Sequence, residues 1–116
     1  MQVTALIVTE QVEFGQRWNT RLNQRGISSK VVTPNDLADH LSPGVPVLLD
    51  AESPSLQNDE LLVVSGYTKA MGGVPAVIGL TRKNDENVHV IEDVCQNLVA
   101  FSSAEESRLF DSLARK

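Results

Sequence analysis

Asp50 closes the run Val45-Pro46-Val47-Leu48-Leu49, and its type and place together suggest chemistry. A short apolar run rich in β-branched residues reads as a buried strand. A carboxylate at its last position emerges at the sheet's carboxyl edge, where open α/β sheets bind ligands. Glu10 stands in the same relation to an earlier apolar run that ends Leu6-Ile7-Val8-Thr9. If these two runs are neighbouring strands, Glu10 and Asp50 face one pocket. Two carboxylates with backbone oxygen and water suit a hard cation such as Mg²⁺. Thr81, after Val74-Pro75-Ala76-Val77-Ile78-Gly79-Leu80, would set a hydroxyl beside Asp50. The plainer readings are an Asp50 satisfied by backbone amides, a Glu10 solvated at a strand end and a Thr81 that serves a turn.

Other reactive side chains carry less. Cys95 is the only cysteine, which excludes a disulfide framework and a cysteine metal site and favours a reducing compartment. It shares an apolar helical stripe with Ile91, Val94 and Leu98, so it reads as a core filler rather than a nucleophile. His40 and His89 fall on separate expected helices without a metal-spaced partner and read as surface residues. There is no Ser-His-Asp elbow, glycine-rich phosphate loop or cysteine pair.

The elements that must position these groups alternate. A first strand runs from Val3 to Thr9, and Phe14, Trp18 and Leu22 mark a first helix that Gly26 ends. A second strand spans Ile27 to Val32. Thr33 and Pro34 then supply an N-cap and a first-turn proline for a short helix bearing Leu37, Ala38 and Leu41. Ser42-Pro43-Gly44 breaks it, and Val45 to Asp50 is the third strand. Asp59-Glu60 opens a helix carrying Leu61, Leu62, Val64, Thr68 and Met71, stopped by Gly72-Gly73. The fourth strand ends at Thr81. A helix starting at Asn84-Asp85-Glu86 carries Val88, Ile91, Val94 and Cys95, and Leu98 to Phe101 is the fifth strand. Ser103 and Glu106 form a capping box for a last helix with Leu109, Phe110 and Leu113 inward. Strands apolar on both faces and separated by helices mean a parallel α/β sheet with helices on each side.

Composition narrows the function class. With 116 residues, 41% hydrophobic and 22% charged, this is one ordinary globular domain, residues 1–116. The net charge of −5 argues against binding a phosphate backbone or an anionic lipid surface. Arg17, Arg21 and Arg25 are the only basic series, at i, i+4 spacing, and read as a solvated helix face. No apolar run reaches a membrane span, and the start lacks the basic region of a signal peptide, so the expected setting is the cytoplasm.

Taken in order, the pieces resemble the response-regulator receiver (CheY-like) domain over nearly the whole chain. They are Leu6-Ile7-Val8-Thr9-Glu10 for the first-strand acid motif, Val47-Leu48-Leu49-Asp50 for the phosphoacceptor strand, Pro54 after it, and Val77-Ile78-Gly79-Leu80-Thr81 for the hydroxyl-bearing strand. The resemblance implies a five-stranded parallel sheet of flavodoxin-like order 2-1-3-4-5. It implies phosphoryl transfer from a histidine kinase to Asp50, with Mg²⁺ held by paired first-strand acids and the acceptor Asp. It also implies a fifth-strand lysine that binds the phosphoryl group. Here the first acid position is Thr9, no lysine occurs between Lys83 and Lys116, and Ser53 and Asn58 replace the usual methionine and glycine. A phosphoryl group on Asp50 would lack its fixed cation partner, and an unpaired buried anion costs several kcal/mol.

These departures lead to an atypical, pseudo-receiver reading. The domain is expected to be a regulatory or protein-interaction module of two-component signalling rather than an enzyme. Asp50 is poorly phosphorylated or not at all, and no cofactor is required beyond Mg²⁺ at Glu10 and Asp50 if the pocket is live. The expected partner is a histidine kinase or another domain of the same sensor protein. The chain itself reads as a free regulator or as a domain cut from a hybrid sensor kinase. The partner faces suggested are Arg17 and Arg21 on the first helix and the Leu109 region. Two alternatives stay open: a competent receiver phosphorylated on Asp50, and a flavodoxin-like small-molecule binder, which the acidic Thr9-Glu10-Gln11-Val12-Glu13 loop weakens.

Overall fold

The computed structural model describes residues 5–53, 56, 59–79, 85–96, 98–100 and 103–114. The elements follow the expected alternation. They are β1 (Ala5–Val8), α1 (Val12–Gln24), β2 (Ser29–Val32), a 3₁₀ turn (Pro34–Asp36), α2 (Leu37–His40), β3 (Pro46–Asp50), α3 (Asp59–Ala70), β4 (Val74–Ile78), α4 (Asp85–Val94), β5 (Val99–Ala100) and α5 (Ser103–Ala114). The strands pair in parallel in the order β2-β1-β3-β4-β5. Val3, Thr4, Pro54, Asn58, Thr81, Asn84 and Phe101 lie outside the described residues.

The strands read as continuous apolar runs because both faces of the sheet are covered. Leu6, Val8, Val47, Leu49 and Val77 point to one core with Leu37, Leu61, Val88, Ile91 and Cys95, beneath α2, α3 and α4. Ala5, Ile7, Leu48, Ala76 and Ile78 point to the other with Trp18, Leu22, Leu109 and Phe110, beneath α1 and α5. Cys95 is the expected core filler: it is buried, and burial pushes its thiol up to about 12.

Local details differ from the sequence reading in instructive ways. The α3 face that turns inward is Leu61, Ser65 and Thr68, while Met71 stays half exposed. The two hydroxyls can be buried because each donates to its own helix, Ser65 to the Leu62 carbonyl at 3.1 Å and Thr68 to the Val64 carbonyl at 2.8 Å. Thr33 makes no side-chain cap; its hydroxyl donates to the Asp36 carboxylate at 3.1 Å. Glu106 turns Oε1 to Arg21 at 2.6 Å, while the Ser103 side chain of the expected capping box lies outside the described residues.

The arginine series is not a solvated face. Arg21 meets Glu106, Arg25 meets Asp111 at 2.9 Å, and both guanidinium groups lie over the buried ring of Phe110. Only Arg17 stays exposed, stacked on Phe14 of its own helix. The stripe clasps α1 to α5, so Arg21 is spent within the domain. Among the described residues no helix is long and apolar enough to cross a membrane.

Candidate functional site

The carboxyl edge between β1 and β3 is the switch point of this strand order, where neighbouring helices leave for opposite faces. The register places Val8 opposite Leu49. One residue further along, Thr9 and Asp50 therefore stand side by side. Both share the parity of Ile7 and Leu48, so both turn toward the α1 and α5 layer.

Asp50 is fully buried and Thr9 nearly so. The Thr9 hydroxyl donates to Asp50 Oδ2 at 2.7 Å. It also accepts the Gln11 backbone N–H at 2.9 Å, which bends the chain into α1. Asp50 Oδ1 accepts the Glu52 backbone N–H at 2.9 Å. Each carboxylate oxygen thus has a neutral donor from the protein. Among the described residues no buried side-chain polar atom lacks a partner.

Glu10 does not join this acid. It is exposed, and its Oε1 accepts the hydroxyl of buried Ser53 at 3.1 Å, while its backbone N–H donates to the same hydroxyl at 3.3 Å. Gln11 Nε2 donates to the Glu52 carbonyl at 3.0 Å. These bonds and Thr9–Asp50 stitch the loop after β1 to the loop after β3. Glu52 then lies across Gly79 at the end of β4. A Cβ at Gly79 would come 3.0 Å from Glu52 Cγ, and its φ of +86° favours glycine in any case.

The sequence sets Glu10 and Asp50 in one pocket as ligands for Mg²⁺. The structure brings them to the same edge but gives each a different hydroxyl partner. Among the described residues no group of three His, Cys, Asp or Glu side chains could hold a metal ion. A cation at this edge would meet Asp50 Oδ2 already accepting the Thr9 hydroxyl and Glu10 Oε1 already accepting that of Ser53. Thr81, the expected hydroxyl partner, lies outside the described residues. His89 is exposed, 3.7 Å from Glu92, and His40 is half-buried at the end of α2.

Reading the sequence as a set of candidate acids missed Thr9 and Ser53 as active participants. Thr9 entered that reading only as a missing carboxylate. A hydroxyl three residues before a helix start is the signal that it would bond the chain locally.

No family model matches the sequence, and no curated protein matches it by sequence. The structure does have a likeness among solved proteins, the crystal structure of the regulatory domain of the master biofilm regulator CsgD. The TM-score is 0.62 at 14% sequence identity, over 94% of this chain and 83% of that one. The fold is the CheY-like receiver fold. That likeness establishes the architecture; the chemistry rests on the site.

Proposed function

We propose that this receiver-like domain is a regulatory module of two-component signalling that works by binding a protein partner, with Asp50 a fixed structural acid rather than a phosphoacceptor. The observation that carries this reading is the Thr9–Asp50 hydrogen bond at 2.7 Å. To attack phosphorus, a carboxylate oxygen must be exposed, in line, and relieved of the charge that builds around it. Asp50 is 0% exposed and both its oxygens accept bonds. The missing lysine between Lys83 and Lys116 removes the fixed cation as well. A histidine kinase or a neighbouring domain of the same sensor is the partner class this reading favours, contacted through helix faces. Arg21 and Arg25 are already held by α5, so the α1 contribution narrows to Arg17 and its surroundings.

The test is incubation with Mg²⁺ and acetyl phosphate followed by intact-mass measurement. The expected result is unmodified protein under conditions that phosphorylate a control receiver. A stoichiometric phosphoryl adduct that disappears in Asp50→Asn would overturn the proposal and favour a competent receiver.

A further inference from the structure

The helix α3 is apolar on more sides than the domain uses. Leu61 turns into the core, and Leu62 and Val64 pack partly against it. Val63, Tyr67 and Met71 point the other way and are 62%, 43% and 50% exposed. A helix that is apolar all round is ordinarily covered all round. The three outward residues stand at i, i+4 and i+8, and the Met71 amide donates to the Tyr67 carbonyl at 3.0 Å, which keeps Met71 in the helical run. They form a ridge about 12 Å long, a little over two turns. Val90 adds an exposed apolar side chain on α4, which packs beside α3. Gly66 belongs to the same stretch. A Cβ there would meet nothing within 4 Å, so packing inside the domain does not call for a residue that weakens its helix.

The same two helices hold the chain's surplus charge. By sequence they carry Asp59, Glu60, Asp85, Glu86, Glu92 and Asp93 against Lys69, six acids to one base. Of the 15 acids and 10 bases in the whole chain, nine of each are left elsewhere, so the rest balances and the net charge of −5 belongs to α3 and α4. Arg82 and Lys83, which precede α4, lie outside the described residues. A negative face repels nucleic-acid phosphates and anionic lipid, and it attracts cationic side chains. A ridge at helical spacing fits the groove between side-chain rows of another helix. The occupant with both properties is a helix whose apolar stripe is flanked by lysine and arginine.

We propose that the α3–α4 face docks a basic amphipathic helix of a protein partner. The apolar stripe of that helix covers Val63, Tyr67 and Met71, and its cationic side chains lie along the acids of α3 and α4. Tyr67 is the anchor, because aromatic side chains near the centre of an interface carry much of its energy. The proposal rests on the reading of the domain as a partner-binding module, and it adds to that reading a face and a partner chemistry. The face lies on the opposite side of the sheet from Arg17 and α1.

The test is a ¹H–¹⁵N NMR titration of the full chain with three synthetic helical peptides of equal length. The first has leucines along one face and lysines elsewhere. The second keeps the leucines and replaces each lysine by glutamate. The third keeps the lysines and scatters the leucines around the helix. The expected result is saturable shifts at Val63, Gly66, Tyr67 and Val90 with the first peptide, bound about tenfold more tightly than the other two. Val63→Ser combined with Tyr67→Ser changes exposed positions, so the circular-dichroism spectrum should be kept while the first peptide binds about tenfold more weakly. Absence of saturable shifts, equal or tighter binding of a control peptide, or unchanged affinity in the double variant would overturn the proposal. Shifts confined to Arg17 and α1 would also overturn it, while leaving the partner-binding reading standing. Concentration-dependent shifts at Val63 and Tyr67 without peptide would assign the face to a second copy of the chain and overturn it too.

Discussion

Thr9→Val is the most direct test of the Asp50 site, because valine keeps the shape of threonine and removes only the hydroxyl. Two bonds disappear at once. Asp50 Oδ2 loses its donor at 2.7 Å, and the Gln11 amide loses its acceptor at 2.9 Å. A hydrogen bond to a charged group is worth about 1.5–3 kcal/mol and a neutral one about 1 kcal/mol. Thr9 and Asp50 are buried, so water does not replace the donor lost at Oδ2. The expected loss is therefore about 2.5–4 kcal/mol. With an unfolding entropy of about 2.1 cal/mol/K per residue, a domain of this size loses roughly 4 °C of Tm per kcal/mol, giving a drop of about 10–16 °C. Urea titration followed by Trp18 fluorescence and far-UV circular dichroism measures the loss; Trp18 is buried beneath α1 and reports the core. The same substitution in an Asp50→Asn background should cost about half as much, because the bond lost there is between neutral groups. A cost below about 0.5 kcal/mol, or an equal cost in both backgrounds, would refute a hydroxyl held by the carboxylate's charge.

Two further outcomes test the surrounding structure. Arg21→Ala should destabilise by about 1–2 kcal/mol, since it breaks a largely buried pair with Glu106 and a stacking contact on Phe110. Arg25→Ala should cost less, because Asp111 is 57% exposed; equal losses by chemical denaturation would contradict the clasp as described. Cys95 makes a pH prediction. Burial pushes its thiol from an ordinary 9.0 up to about 12 in the folded chain, so above pH 9 only the unfolded chain gains from ionisation. That contribution to stability is whole below pH 9 and is lost as pH rises toward 12. Between pH 9 and 10 the loss is about 1 kcal/mol, and urea titrations should show it in the wild type and not in Cys95→Ala.

Legibility in the sequence followed the physics of each feature. The strand runs Leu6-Ile7-Val8 and Val47-Leu48-Leu49 announce themselves because both sheet faces are apolar, and Trp18 and Leu22 announce a helix face at helical spacing. The inward Ser65 and Thr68 do not, since their burial depends on bonds to their own helix carbonyls, which hydropathy does not register. The arginine spacing was visible, but its acidic partners lie 85 and 86 residues later, and only the folded packing of α1 on α5 joins them. Asp50 was readable as a strand-end acid. That Thr9 would reach it depends on the β1–β3 register, which sets residues 41 apart within bonding distance.

A hydroxyl at position 9, where the receiver resemblance implies an acid, changes more than a count of charges. Carboxylates only accept hydrogen bonds when ionised, so a pocket of facing acids is short of hydrogens and needs a cation to hold it together. A hydroxyl both donates and accepts. Thr9 gives its hydrogen to Asp50 and takes one from Gln11, so the pocket closes on itself. Ser53 repeats the arrangement for Glu10, donating to the carboxylate and accepting from the backbone. Both acids of the edge therefore meet a hydroxyl that works in two directions. An edge satisfied this way is held together by its own hydroxyls and amides. The same hydroxyls tie the loop after β1 to the loop after β3, which fixes the two loops against each other at the edge.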